Sequence, residues 1–442
     1  MTVWRGSIFI PVRVCHVVSL RTDPLRRRWL VWTVLAIVFL LVNLYRLSSA
    51  VLADRLMAGF NTTGAGLGTL HASFFYIYAL MQLPTGILAD RAGPRKTATA
   101  GAIVFNVGAI GFALAQTYHV AFLSRALIGL GGAVIFISTL RFCANWFRAD
   151  EFATMNGLTI AIAGLGGIMA TTPLALAANA FGWRPTMFGL GVVGLLFAGV
   201  VWLLARDSPE SAGLEPIEDV ETGTTLTLEE VLRNLRAVLA ERETWVISLM
   251  LFCSTGVLIT LLGLWGVPYV VQTQGVSVTT ASYYTLLGSF GLLVGPPTFG
   301  WVADRFETRT GLIVGGGIVY VAGFGVLTLV PSPHQGIVAL VYFTSGATLG
   351  AFTLSYAVIK DRHATAASGV STATVNGAAF LGAAVFPTAM GYALDTYWTG
   401  ETVAGSRVYT EFGYQVAFGI ATAAIVVALC CGLWLHWKLP DG

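Results

Sequence analysis

The feature that most constrains this chain is a succession of apolar runs, each about 20 residues long, filling the sequence nearly end to end. A bilayer core of about 30 Å takes roughly that length to cross as a helix. In hydrocarbon every backbone polar group needs an internal partner, so each run is expected to be helical. Only 11% of the 442 residues are charged, against roughly a quarter in a soluble domain. The chain therefore reads as an all-α membrane protein. Twelve spans are expected, at about 29–53, 65–89, 98–116, 120–143, 154–181, 185–205, 245–271, 280–303, 310–330, 336–358, 366–393 and 413–436.

The longest polar interruption divides six spans from six. Four segments follow: a basic N-terminal segment 1–28, a six-helix half 29–205, a cytoplasmic linker 206–244 and a second six-helix half 245–442. From Thr227 the linker places Leu and Val at helical spacing among charges, as in an amphipathic helix on a membrane surface; a plain linker is the alternative. Lys and Arg near span ends are retained on the cytoplasmic side. With the N-terminus inside, nineteen cations fall on that side, Arg55, Arg184 and Arg407 fall outside, and Arg46, Arg125 and Arg141 stay within spans. Both termini are thus expected in the cytoplasm of a multi-pass cell-membrane protein. Residues 1–28 carry six arginines and no small-residue cleavage site, so no removable signal peptide is expected. The net charge of +3 comes from loop cations without aromatic interleaving, which gives nucleic acid no footing. The five cysteines show no ligand spacing, so neither a metal site nor a disulfide framework is expected.

The stretch "GILADRAGPRKT" at Gly86 recurs in thinner form as "GWVADRFETRTG" at Gly300, about half a chain length further on. Each copy follows an even-numbered span of its half, the second or the eighth. Parallel six-helix halves suit carriers that bind substrate between the halves and rock about it. The first copy resembles the loop signature of the major facilitator superfamily, through Gly86, Asp90, Arg91, Gly93, Arg95 and Lys96. The second keeps Gly300, Asp304, Arg305 and Arg309 and departs at Glu307. The resemblance implies that superfamily's fold, twelve transmembrane helices in two six-helix halves. Asp90 at a helix end can pair with Arg91 or Arg95, or accept from a neighbouring helix N-terminus, while the cytoplasmic side is shut. Gly86, Asp90, Arg91, Gly93 and Arg95 are therefore expected to form a conformational latch, with Asp304 and Arg305 as its weaker copy. The plainer alternative is that the cations only fix topology.

Ionisable residues inside a membrane are costly and usually face a wet cavity. Arg46, in "NLYRLSSAV", shares a helix face with Asn43, and Arg125, in "SRALIGLGGA", falls at a similar depth. The two guanidiniums are expected to converge on one anion, because the rigid fork of arginine grips a carboxylate or phosphate through two hydrogen bonds. Arg141 lies roughly 160° around the helix from Arg125 and reads as an interfacial or gate residue. The surroundings, "NLYRLSSAVLADRL", "SRALIGLGGA" and "RFCANWFRADEFATMNGL", are similar to the anion:cation symporter branch of the superfamily. That resemblance implies an organic-acid substrate moved with protons or sodium, and Arg46 and Arg125 match arginines which the branch uses around its anions. Tyr45 and Gly132 stand where many of those symporters carry carboxylates, leaving His71 as the nearest titrating group. Symport is thus open, and uniport or exchange competes with it.

Tyr78, Gln82 and Asn376 complete the expected pocket with Arg46, Arg125 and Asn43. Tyr76, Trp265, Tyr269, Tyr283 and Tyr356 are further candidates, although interface enrichment explains such aromatics equally well. The leading function is transport of a small organic anion. The rivals are a uniporter or exchanger for a zwitterion such as a peptide or for a neutral metabolite, and a non-transporting nutrient sensor. No Ser/His/Asp set, paired carboxylates or metal cluster lies in the spans, so neither an enzyme nor a cofactor is expected. The expected partners are a small-molecule substrate, the lipid bilayer and a coupling proton or sodium ion that is left open. A monomer is expected.

Overall fold

A computed structural model describes residues 23–217, 220, 228–362 and 365–439; the basic N-terminal segment lies outside it up to residue 22. Among the described residues, eleven helices are long and apolar enough to cross a membrane, or twelve when one bent pair counts as a single span. In the first half these are α1 (Pro24–Leu47) with its continuation α2 (Ser49–Phe60), the bent pair α3 (Gly64–Leu80) and α4 (Gln82–Ala92), and α5 (Pro94–Leu114). After them come α6 (Tyr118–Trp146), α7 (Ala149–Met169) with α8 (Thr172–Phe181), and α9 (Trp183–Leu204). Between the halves lies α10 (Leu228–Ala240), which packs on α11 (Arg242–Thr260) and on α16 (Thr365–Thr396). A π-helical turn (Leu261–Trp265) joins α11 to α12 (Gly266–Gln274). Then follow α13 (Val278–Phe306), α14 (Thr310–Leu329), α15 (Gln335–Asp361), α16 (Thr365–Thr396), strands β1 (Trp398–Val403) and β2 (Ser406–Tyr409), and α17 (Glu411–Lys438).

Local chemistry accounts for the starts and breaks. Asp23 caps α1 by accepting the N–H groups of Leu25 and Arg26 at 2.9 and 3.4 Å. The 55° bend between α3 and α4 follows from Pro84, which has no N–H to return to the carbonyl of Leu80. Pro268 likewise leaves the Leu264 carbonyl without its helical donor, and the chain takes up the slack in the π turn. The segment after α16 is an antiparallel hairpin. Its turn at Ala404 and Gly405 has φ of 52° and 82°, the left-handed geometry that lets two short strands fold back.

The two ends of the bundle differ. At the hairpin end the halves are stitched together. Asn179 Nδ2 donates to Thr279 Oγ1 at 3.0 Å, Thr172 and Ser282 share a hydrogen bond of 3.0 Å, and Ser406 donates to Asp54 at 2.9 Å. Helices α3 and α16 touch backbone to backbone there, so that a Cβ on Gly68 or on Gly391 would lie 2.4 Å from a carbonyl oxygen of the opposite half. At the other end, where Arg91, Lys96 and Arg305 cluster, four glycines stand clear. Gly86 on α4, Gly157 on α7, Gly300 on α13 and Gly369 on α16 would meet nothing within 4 Å if each gained a Cβ. Among the described residues, hydrogen bonds and backbone contacts join the halves at the hairpin end, and room lies beside these four glycines at the basic end.

Candidate functional site

Arg46 sits in the last turn of α1 and reaches the plane between the halves. Its guanidinium lies 5.7 Å from the ring centre of Tyr78 on α3 and 5.4 Å from that of Phe380 on α16. The two rings meet edge to face at 4.6 Å. Each half thus contributes one π face to a shared cation. Asn43, one turn earlier on the same face, accepts a hydrogen bond from Arg46 Nη2 through Oδ1. Asn43 is held in turn by its Nδ2, which donates to the Phe39 carbonyl at 2.8 Å. The partner of this guanidinium is therefore a neutral amide rather than a carboxylate.

A chain of amides and hydroxyls continues from Tyr78 into the second half. Gln82, the first residue after the bend, donates to the Tyr78 carbonyl at 3.2 Å. Its Oε1 accepts from Asn376 Nδ2 at 2.8 Å, and Asn376 Oδ1 accepts from the Tyr356 hydroxyl at 2.8 Å. The structure thus brings Asn43, Arg46, Tyr78, Gln82 and Asn376 into one constellation, and adds Tyr356 and Phe380.

Arg125 is set apart from it. The side chain is 1% exposed, its guanidinium faces the Phe112 ring at 5.5 Å, and none of its three nitrogens has a hydrogen-bond partner among the described residues. Similar depth does not bring two side chains together, because the rotation of α6 aims Arg125 at α5 rather than at the plane between the halves. His71 on α3, also 1% exposed, interacts electrostatically with Arg125, and neither of its ring nitrogens is hydrogen-bonded. It is capped by the π turn: a Cβ on Gly263 would lie 3.1 Å from His71 Cε1 and from Leu47 Cδ2. Arg46 and Arg125 therefore belong to two separate sites, a central one at Arg46 and a sealed one at Arg125 and His71.

Two positions where the symporter resemblance implies carboxylates have their own packing. Tyr45, fully buried, donates to Asn106 Oδ1 at 3.4 Å and packs on Phe105. A Cβ on Gly132 would lie 2.8 Å from Val42 Cγ1, so α6 closes on α1 there. Of the further candidates, Tyr76 and Tyr283 lie 40% and 50% exposed on the surface of the bundle. Trp265 donates to the Pro387 carbonyl at 2.9 Å, and Tyr269 packs on Tyr414 and Phe418.

A family model described as the Major Facilitator Superfamily matches residues 28–387. The chain belongs to this superfamily. Its similar proteins include a probable sulfoacetate transporter, SauU, of Cupriavidus necator, 23% identical over 65% of this chain and 67% of that protein. They include the membrane sensor protein UhpC of Salmonella typhimurium, 27% identical over 79% of this chain and 81% of the sensor. A probable hexose phosphate transport protein of Chlamydia trachomatis is 23% identical over 70% of this chain and 72% of that protein. Among solved structures, a bacterial homologue of the human lysosomal transporter Spinster, inward-facing and unoccupied, superposes with a TM-score of 0.77. That match has 17% identity and covers 93% of this chain and 97% of the other, so it speaks for the fold. The family and its relatives are transporters and a sensor; none of them is named as an enzyme.

The superfamily's signature loop shows partners that the sequence did not suggest. Asp90 pairs with Arg141 of α6 at 3.2 Å, not with Arg91 or Arg95. Consecutive residues on a helix diverge, so Arg91 points away from Asp90. Arg95, beyond the turn, is taken up by the end of α9. Its backbone N–H donates to Asp207 Oδ1 at 2.9 Å, and its guanidinium donates to the Trp202 carbonyl at 3.1 and 2.8 Å and lies 4.1 Å from that ring. Gly93 makes the turn with φ of 80°, and a Cβ there would lie 2.7 Å from the Asp207 carboxylate. In the second copy Glu307 holds φ of 51° after α13, and Asp304 and Arg305 are exposed.

Proposed function

We propose that this superfamily member carries a small organic oxyanion across the cell membrane by alternating access, with Arg46 as the anchor of the anion. The observation that carries the reading is the guanidinium between the halves whose hydrogen-bond partner, among the described residues, is the amide of Asn43. A cation held there without a counter-charge is costly, and a carboxylate, sulfonate or phosphate supplies two charge-assisted bonds at once. The printed names of two relatives, a sulfoacetate and a hexose phosphate transporter, agree with that chemistry. Arg125, sealed and unpartnered, is assigned a second grip that becomes reachable when the hairpin end opens. The Asp90 latch is proposed to leave Arg141 when the basic end closes, and the room at Gly86, Gly157, Gly300 and Gly369 supports such a closure.

The cation count supports a cytoplasmic basic end and cytoplasmic termini, which makes the state described here inward-facing. A cysteine at Thr399 should then react with an impermeant thiol reagent outside intact cells and one at Ser211 should not; the reverse pattern overturns the orientation. A second reading, a non-transporting sensor, is favoured by the 27% identity to UhpC. Counterflow of labelled carboxylates, sulfonates and sugar phosphates in proteoliposomes separates the two. Flux of at least one oxyanion, lowered tenfold or more by Arg46→Lys, is expected, a loss of about 1.4 kcal/mol. Oxyanion binding without flux would establish the sensor, and flux of neutral solutes alone would remove Arg46 as an anion anchor. With Tyr45 and Gly132 in place of carboxylates, an inward proton gradient is expected to change the rate little.

A further inference from the structure

The N-terminus of α3 is an end where several backbone N–H groups lack an intrahelical acceptor. Thr63 caps one of them by accepting from Gly66 N at 3.1 Å. Two more are met by a residue from the other half of the molecule: Asp395, in the last turn of α16, accepts from Gly64 N and Ala65 N at 2.8 Å each. The same carboxylate is gripped within its own half by Arg407 Nη1 at 3.1 Å and the Tyr409 hydroxyl at 3.3 Å, both on β2. The hairpin holds on to both halves in turn. Ser406 donates to Asp54 of α2, and the Arg407 N–H meets Met57 Sδ at 3.2 Å. On the other side Gln272 of α12 donates to the Arg407 carbonyl at 3.2 Å and accepts from Tyr409 N at 2.9 Å.

We propose that Asp395 is the latch of the hairpin end and that β1 and β2 are the strap that aims it. This deepens the alternating-access reading. A carboxylate on two N–H groups of a helix N-terminus gains from the hydrogen bonds and from the helix dipole together. Because donor and acceptor belong to opposite halves, the contact exists only while this end is sealed, and every opening must break it. Arg407 and Tyr409 remain with Asp395 when it leaves, so the carboxylate keeps partners in both states. That lowers the cost of release and lets the latch cycle. The bent span and α16 run antiparallel, so Asp90 and Asp395 lie at opposite ends of one helix pair. Each stands in the last turn of its own helix, at the end where the other helix begins.

The test uses the full chain with native cysteines replaced by serine and spin labels at Gln116→Cys and Thr280→Cys, two exposed positions at the hairpin end on opposite halves. Their distance distribution reads the open and sealed populations without any substrate. Asp395→Ala is expected to raise the ratio of long to short distances by about tenfold, and Asp395→Asn, which keeps one acceptor, by less. An unchanged distribution in Asp395→Ala overturns the proposal. Should that variant fail to fold, the pair Asp54→Cys and Ser406→Cys tests the strap. The disulfide should fix the short distance and stop counterflow until a reductant is added, and full flux with the bond formed overturns the proposal. These distances do not depend on the identity of the transported anion, so failure here is distinguishable from failure of the oxyanion reading.

Discussion

The two halves divide the labour unequally. The first half holds Arg46, Arg125 and His71, and the second half offers the central site Phe380, Asn376 and Tyr356. On the proposed function the first half grips and the second closes. Its contributions to the central site are a ring, an amide and a phenol, groups that add to a cation's environment without neutralising it. The two loop copies differ in the same sense. In the first, Gly93 lets the chain press on Asp207 and so ties the loop to α9; in the second, Glu307 takes a left-handed turn in the open.

The sharpest way to break the comparison is to remove the grip. Arg46→Ala deletes both forks of an anion contact worth about 1.5–3 kcal/mol per charge-assisted bond, so oxyanion counterflow should fall by at least about a hundredfold. Retained flux would move the anchor elsewhere. The loops supply the next contrast. Gly93→Ala forces a Cβ onto Asp207 at a backbone angle that L residues avoid, and should cost about 1–3 kcal/mol, seen as a lower Tm in detergent. From the closing half, Phe380→Leu should weaken apparent affinity only about threefold, since a cation–π contact contributes about 0.5–1 kcal/mol. A loss as large as that of Arg46→Ala would show that the halves share the grip. The smallest effect belongs to the second loop: Glu307→Gly relieves a left-handed turn at some cost in chain entropy and should stabilise by about 0.5 kcal/mol or less, again read as Tm.

Much of this was legible in advance, for identifiable reasons. Apolar runs of bilayer length, the repeated Gly-Asp-Arg loop and the rarity of charges in the spans gave the fold and drew attention to Arg46. Asn43, Tyr78, Gln82 and Asn376 stood out because polar groups in hydrocarbon must be partnered or wet. Phe380 carried no signal, since one aromatic in an apolar run looks like any other. The pairing of Asp90 with Arg141 joins two distant helices, which spacing along one helix does not reveal. Arg125 faces Phe112 rather than Arg46, because the rise per residue fixes position along a helix while direction follows from packing. The hairpin is not legible in the sequence, because strands of six and four residues leave too short an alternation to stand out between two spans.

The clearance around Gly86, Gly157, Gly300 and Gly369 has one more consequence. These residues lie on α4, α7, α13 and α16, the helices that must meet if the basic end is to close. On the proposed alternating-access reading, the vacant volume beside each is room for a contact of the other state. A bulky residue at any of the four would act as a doorstop, harmless in the conformation seen here and obstructive only to its successor. On that reading the molecule carries, in the one shape described, a partial negative of the shape it would turn into.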